Sequence, residues 1–129
     1  MVFKARSIIL RCKFVDPNCV FCKIINGRSP STPVYRDELV VGFLDIHPAA
    51  PVHVLIVPHQ HIESINDLTS EHETLIGHMY TVAKDLAIEN GISETGYRLI
   101  INCGPDARQA VYHLHLHLLG GHQMRYPMG

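Results

Sequence analysis

Near the end of the chain, His113-Leu114-His115-Leu116-His117-Leu118-Leu119 alternates imidazole with leucine. Strict period-two alternation is the pattern of a half-buried strand, because successive side chains on a strand point to opposite faces. The three imidazoles therefore share one face and the leucines the other. The leucine face can close a core while the imidazole face lines a cleft. At a rise of roughly 3.3 Å per residue, neighbouring histidines sit about 6–7 Å apart, which lets several surround one phosphate-sized group. A solvated strand face rich in histidine is the plain alternative. Three imidazoles in register, with no other polar residue on that face, favour the cleft.

Ten histidines among 129 residues are the compositional oddity. Imidazole changes charge near neutrality and binds metals, so the enrichment points to acid–base, phosphate or metal chemistry. The 47% hydrophobic and 18% charged content suits one compact domain with a real core. A net charge of −1 gives no electrostatic case for binding nucleic acid or a membrane surface. No apolar run approaches the 18 or so residues of a membrane helix. Residues 1–15 place Lys4, Arg6, Arg11 and Lys13 around a short Ile8-Ile9-Leu10 run. Lacking a longer apolar stretch and a small-residue cleavage site, this segment reads as an N-terminal arm, not a secretory signal. Residues 16–129 form the expected single domain. Four cysteines without a signal peptide should be reduced, and a cytoplasmic location follows.

Taken in order, Asp16-Pro17-Asn18 is a turn, and a short helix runs from Cys19 towards Gly27, which can end it in a left-handed conformation. Cys19 and Cys22 have the spacing of half a zinc site, of a redox pair, or of two core thiols; two sulfurs alone cannot complete a tetrahedral metal site. Strands are expected at 33–37, 39–45, 52–57 and 97–102, ahead of the histidine strand. His53 interrupts an apolar run and reads equally as an edge residue or a site residue. Thr69 or Ser70 caps the long helix, whose stripe is Leu75, Ile76, Met79, Val82, Ala83 and Leu86, and Asn90-Gly91 ends it. His72 and His78 fall off that stripe and are expected to be solvated. About five strands with one long and one short helix, joined mostly by short turns, make an α+β fold with antiparallel pairing.

Residues 113–119 match in full the His-φ-His-φ-His-φ-φ motif of the histidine triad (HIT) family, where φ is hydrophobic. The resemblance extends over Phe21-Cys22-Lys23-Ile24-Ile25, Phe43-Leu44-Asp45-Ile46, His53-Val54-Leu55-Ile56-Val57-Pro58 and Gly120-Gly121-His122-Gln123-Met124. The last of these is similar to the Hint-like branch, the purine nucleoside phosphoramidases. The resemblance implies a HIT-like fold and cleavage of purine nucleoside phosphoramidates or related AMP and GMP conjugates. In it His115 attacks the α-phosphorus and carries a transient nucleotidyl group, while His117 and His53 donate to phosphoryl oxygens or shuttle a proton. The nucleoside pocket maps onto Phe21, Ile24, Phe43, Asp45 and Ile46, with Asp45 on the ribose hydroxyls; Asn102, Gln109 and Ala110 match positions near the phosphate. It also implies a homodimer.

Two features depart from the branch's pattern. Arg108-Gln109-Ala110 stands where the branch has Gly-Gln-Ser, so the hydroxyl that assists the leaving group is missing. The C-x-x-C is similar to that of zinc-binding members, and by that likeness Cys19, Cys22, His61 and His113 form a closed, structural zinc site. His113 is then a ligand and not a catalyst. Three other functions stay open: cleavage of dinucleoside polyphosphates, a nucleotide-binding interaction module with little catalysis, and a metalloenzyme with zinc held by the triad.

Overall fold

The computed structural model describes residues 16–129, and the arm expected over 1–15 lies outside the described residues. The chain runs α1 (Val20–Ile25), β1 (Pro33–Arg36), β2 (Val40–Leu44), β3 (Val52–Pro58), α2 (Glu73–Glu89), β4 (Tyr97–Ile100) and β5 (Leu116–Gly120). Two single 3₁₀ turns, Ile65–Asp67 and Ser70–His72, precede α2. The strands form one sheet in the order β1-β2-β3-β5-β4, with every neighbouring pair antiparallel. This is the α+β, five-stranded architecture expected.

Helices cover both faces, which is why β3 reads as an almost unbroken apolar run. Val54 and Ile56 of β3 join Leu116 and Leu118 of β5 and pack with Met79, Val82, Ala83 and Leu86 of α2. On the opposite face Leu55 and Val57 join Val41, Phe43 and the α1 residues Phe21, Cys22 and Ile25. Alternation assigns His53 and His117 to this second face, and Leu55 pairs directly with His117 across β3 and β5. The leucines thus close one core while the imidazoles face the other side.

Several boundaries differ from expectation. The histidine strand begins at Leu116, not His113, because Leu114 N donates to Ile62 O at 2.7 Å and ties the preceding residues to the exit loop of β3. Strand β3 continues to Pro58, opposite Val40, and β4 stops at Ile100. Thr69 caps the 3₁₀ turn and not α2: its backbone N–H donates to His72 Nδ1 at 2.9 Å, and α2 starts at Glu73. His72 is therefore engaged rather than solvated. His78 is also engaged, since its Nε2 lies 2.6 Å from Asp37 Oδ2, which also accepts from the Tyr35 hydroxyl. Gly27 and Gly91 do adopt left-handed conformations just past their helices.

Candidate active site and metal centre

The first cluster starts from the turn before α1. Asp16 Oδ1 accepts from Asn18 N, and Cys19 N donates to Asp16 O, so Cys19 becomes the N-cap of α1. Its sulfur accepts from Cys22 N at 3.4 Å. Both sulfurs then meet two imidazoles brought from 39 and 94 positions away. His113 Nδ1 lies 3.3 Å from Cys19 Sγ, 3.6 Å from Cys22 Sγ and 3.2 Å from His61 Nδ1, and His61 Nδ1 is 3.4 Å from Cys22 Sγ. A tetrahedral zinc ion with bonds of about 2.3 Å to sulfur and 2.0 Å to nitrogen would space its ligands about 3.5 Å (S···N) and 3.3 Å (N···N) apart. The four residues match that pattern and could hold a metal. His113 is fully buried, and its Nε2–H donates to Pro58 O at 2.8 Å, which leaves the Nδ1 lone pair facing the sulfurs. Burial lowers its pKa to about 4 and raises that of Cys19 to about 11.

His115 stands beside this cluster. Its Nδ1–H donates to the His113 carbonyl at 2.7 Å, so the lone pair of a neutral imidazole is on Nε2. Phe21 sets an edge-on ring against both His113 and His115, with centroids 5.9 and 5.0 Å away. His115 and His117 are closer than bare strand spacing predicts, with ring centroids 4.9 Å apart. Beyond them His53 Nε2 lies 2.9 Å from His117 Nδ1 and 3.4 Å from Asp45 Oδ2. Burial lowers the pKa of His53, His115 and His117, the last to about 4, so all three are neutral at pH 7. The buried Nε2 of His117 has no hydrogen-bond partner among the described residues.

The remaining expected residues divide. Phe21 and Phe43 are buried and meet edge to face, with centroids 5.5 Å apart, and Ile24 packs against their cluster. Asp45 also accepts from His47 N at 2.8 Å, so it shapes the turn as well as facing His53. Ile46 is 80% exposed. Gln109 is buried and its amide is engaged by backbone: it donates to Glu63 O and Val111 O and accepts from Gly104 N. It braces the loop that carries the exposed Ala110; Asn102 is partly buried. Arg108 has φ of 63°, a conformation that favours glycine, and its side chain is exposed. Sequence reasoning missed the backbone partners, namely Ala49 N–H on His53 Nδ1, Pro58 O on His113 and His113 O on His115. A backbone group leaves no signature in residue type, and only the proline-rich loop at 48–51 hinted at a shaped turn.

A family profile described as "Scavenger mRNA decapping enzyme C-term binding" matches residues 18–127. The purine nucleoside phosphoramidase of Escherichia coli strain K12 is 51% identical over 102 residues, which cover 79% of this chain and 86% of the relative. A 14 kDa zinc-binding protein of Zea mays is 45% identical over 116 residues, covering 88% of this chain and 90% of the relative. Among solved structures, a HIT family hydrolase from Legionella pneumophila Philadelphia 1 superposes with a TM-score of 0.84 at 48% identity, over 87% of this chain and 100% of that one. A histidine triad protein from Clostridium difficile gives the same TM-score at 42% identity, over 87% and 97%.

Proposed function

Because the chain belongs to the histidine triad (HIT) family and is a hydrolase, we propose that it cleaves purine nucleoside phosphoramidates or related nucleotide conjugates through a covalent nucleotidyl-His115 intermediate. The observation that carries this reading is a neutral His115 whose Nε2 keeps its lone pair, beside a His117 Nε2 that is buried without a partner among the described residues. His115 Nε2 attacks the α-phosphorus, a P–N bond to the enzyme forms, and the bond to the leaving group breaks. The leaving amine departs with the bonding electron pair and takes up a proton. Water then attacks the same phosphorus, loses a proton, and returns the electron pair to His115 Nε2 as nucleoside monophosphate is released. His117 stabilises the charge that develops on the phosphoryl oxygens.

Asp45 takes the ribose hydroxyls and the purine lies against Phe21, Ile24, Phe43 and Ile46. An exposed apolar side chain such as Ile46 gains from being covered by a flat base. Asn102, Gln109 and Ala110 border the phosphate, with Gln109 acting through the loop it braces. Cys19, Cys22, His61 and His113 hold a zinc ion whose chemistry is structural: with four protein ligands there is no open position for substrate. The protein acts as a cytoplasmic homodimer, with Tyr80 and Ile88 on the exposed side of α2 supplying part of the interface.

One residue favours a second reading. Ala110 has no hydroxyl to help protonate an amine, whereas a polyphosphate leaves as a stabilised anion, so dinucleoside polyphosphates are the competing substrates. Turnover of adenosine phosphoramidate and of diadenosine polyphosphate is measured on wild type and His115→Ala, with zinc content determined on the same preparations. The expected outcome is faster phosphoramidate cleavage, about 10³-fold or greater loss of it in His115→Ala, and one zinc per chain. Preference for the polyphosphate would install the second reading. Undiminished activity in His115→Ala would remove the covalent mechanism, and absence of turnover alongside nucleotide binding would leave a binding module.

A further inference from the structure

The last four carbonyls of a helix have no partner within it, and those of α1 find theirs in two different ways. Asn26 N donates to Cys22 O, Arg28 N to Lys23 O and Gly27 N to Ile24 O, with Gly27 at φ 75°. The last two bonds are the pair that closes a helix after a left-handed glycine. The remaining carbonyl, Ile25 O, accepts from a side chain instead: the Nη2–H of Arg36, at 3.1 Å. Arg36 ends β1 and pairs with Val41, so it lies on the α1 face of the sheet. It is buried, and among the described residues it makes no ion pair. Burying a guanidinium without a counter-ion is costly, and the charge-assisted bond to Ile25 O is the contact that offsets it. The next residue turns the other way. Asp37 Oδ1 accepts from Leu39 N and Val40 N, while Oδ2 accepts from the Tyr35 hydroxyl and from His78 Nε2 on α2. These donors fill the acceptor positions of the carboxylate and leave none for Arg36.

We infer that Arg36 and Asp37 form a two-sided clasp, in which one turn of the sheet holds α1 through Arg36 and α2 through Asp37, and that Arg36 is a positioning residue for the nucleoside wall carried by α1. Ile24 is the neighbour of the tied residue, and Phe21 lies about one helical turn before it. A six-residue helix cannot hold its own shape, so the aim of both side chains is set where the helix is tied. Its start is tied at Cys19 and Cys22, and its end is tied at Arg36. Without Arg36 the last turn frays with Ile24 on it, and an arriving base must order the wall that receives it. That cost falls on binding and not on the chemistry at His115. The two arms of the clasp act on opposite faces, so loss of the His78 bond loosens α2 and leaves α1 tied. The attachment of α1 stands on the geometry alone; its effect on substrate binding rests on the proposed function.

The test compares wild type, Arg36→Met, Arg36→Lys and His78→Leu as full chains, by hydrogen exchange of the α1 amides and by steady-state kinetics with adenosine phosphoramidate. Arg36→Met keeps an aliphatic stem and removes the donor. Its α1 amides should exchange about tenfold faster, and KM should rise about tenfold with kcat within about twofold of wild type. Arg36→Lys, which keeps a cationic donor on a different stem, should show a smaller change in the same direction. His78→Leu should lower the urea midpoint and leave α1 exchange and KM as in wild type. Unchanged α1 exchange in Arg36→Met would overturn the clasp. Equal changes in His78→Leu would also overturn it, because the effect would then be one of global stability. A fall in kcat as large as the rise in KM would overturn the positioning role. Should Arg36→Met not fold, Arg36→Lys carries the comparison, and wild-type values of both α1 exchange and KM in it would overturn the inference. Faster α1 exchange in a protein that hydrolyses no nucleotide conjugate would uphold the attachment of α1 and sink the functional reading instead.

Discussion

Imidazole protonation makes the most direct residue-scale prediction. Burial holds the folded-state pKa of His117 at about 4 and lowers that of His53, against roughly 6.5 in an unfolded chain. Above pH 6.5 both states are neutral at these positions and stability does not depend on them. As the pH falls from 6.5 towards 4 the unfolded chain binds protons that the folded chain refuses, so stability falls with it. Below about 4 the folded state also protonates His117 and the dependence flattens. Urea midpoints at pH 7.5, 6 and 5 should decline in that order, and a flat series would contradict the buried neutral pair. At the same scale, Phe21 is buried with edge contacts to both His113 and His115. Phe21→Ala should therefore weaken folding by about 3–5 kcal/mol, measured by denaturant titration.

Among the elements, α1 is the least able to stand alone. It has six residues, well short of the dozen or so an isolated helix needs for even marginal stability. Its anchors are Cys19 and Cys22 at one end and Phe21, Cys22 and Ile25 in the core. Removing the proposed zinc ion with a chelator should lower the thermal midpoint, with amide protection in α1 lost before that of β3 or β5. Hydrogen exchange on treated and untreated protein checks this; equal protection of α1 in both would show that packing alone holds it. The β5 exit makes a different demand. Gly121 has φ of 98°, and a Cβ there would lie 2.9 Å from Pro51 Cβ, in the loop that also supplies the Ala49 N–H. Gly121→Ala should cost about 1–3 kcal/mol, read from the urea midpoint.

For the whole molecule, one sheet divides two functions between its faces. The α2 face is a packed apolar core, and the α1 face carries the imidazoles and the thiols. No helix among the described residues is long and apolar enough to cross a membrane. Tyr80 and Ile88 leave apolar surface on the outside of α2, and β4 is an edge strand. If these meet in the proposed homodimer, sedimentation should give twice the 14.5 kDa chain mass and the thermal midpoint should rise with concentration. A monomer with a concentration-independent midpoint would refute it.

Much of this protein is written in local pattern. Runs of β-forming residues specify β2 and β3, period-two alternation the leucine face of β5, and the Leu75-to-Leu86 stripe α2, while the C-x-x-C and the histidine run supply the residues of the candidate metal and active sites. These signals are legible because each depends on side chains near one another in sequence. The differing roles of three equally spaced histidines are not legible in that way. His113 is preset as a ligand by a carbonyl 55 positions away, His115 by the carbonyl of His113, and His117 by an imidazole 64 positions away. The shortening of the strand to Leu116 likewise depends on Ile62 O. Sequence determined which residues could do chemistry, and only the tertiary structure decided which nitrogen of each imidazole does it, because that choice is made by backbone groups that carry no side-chain identity.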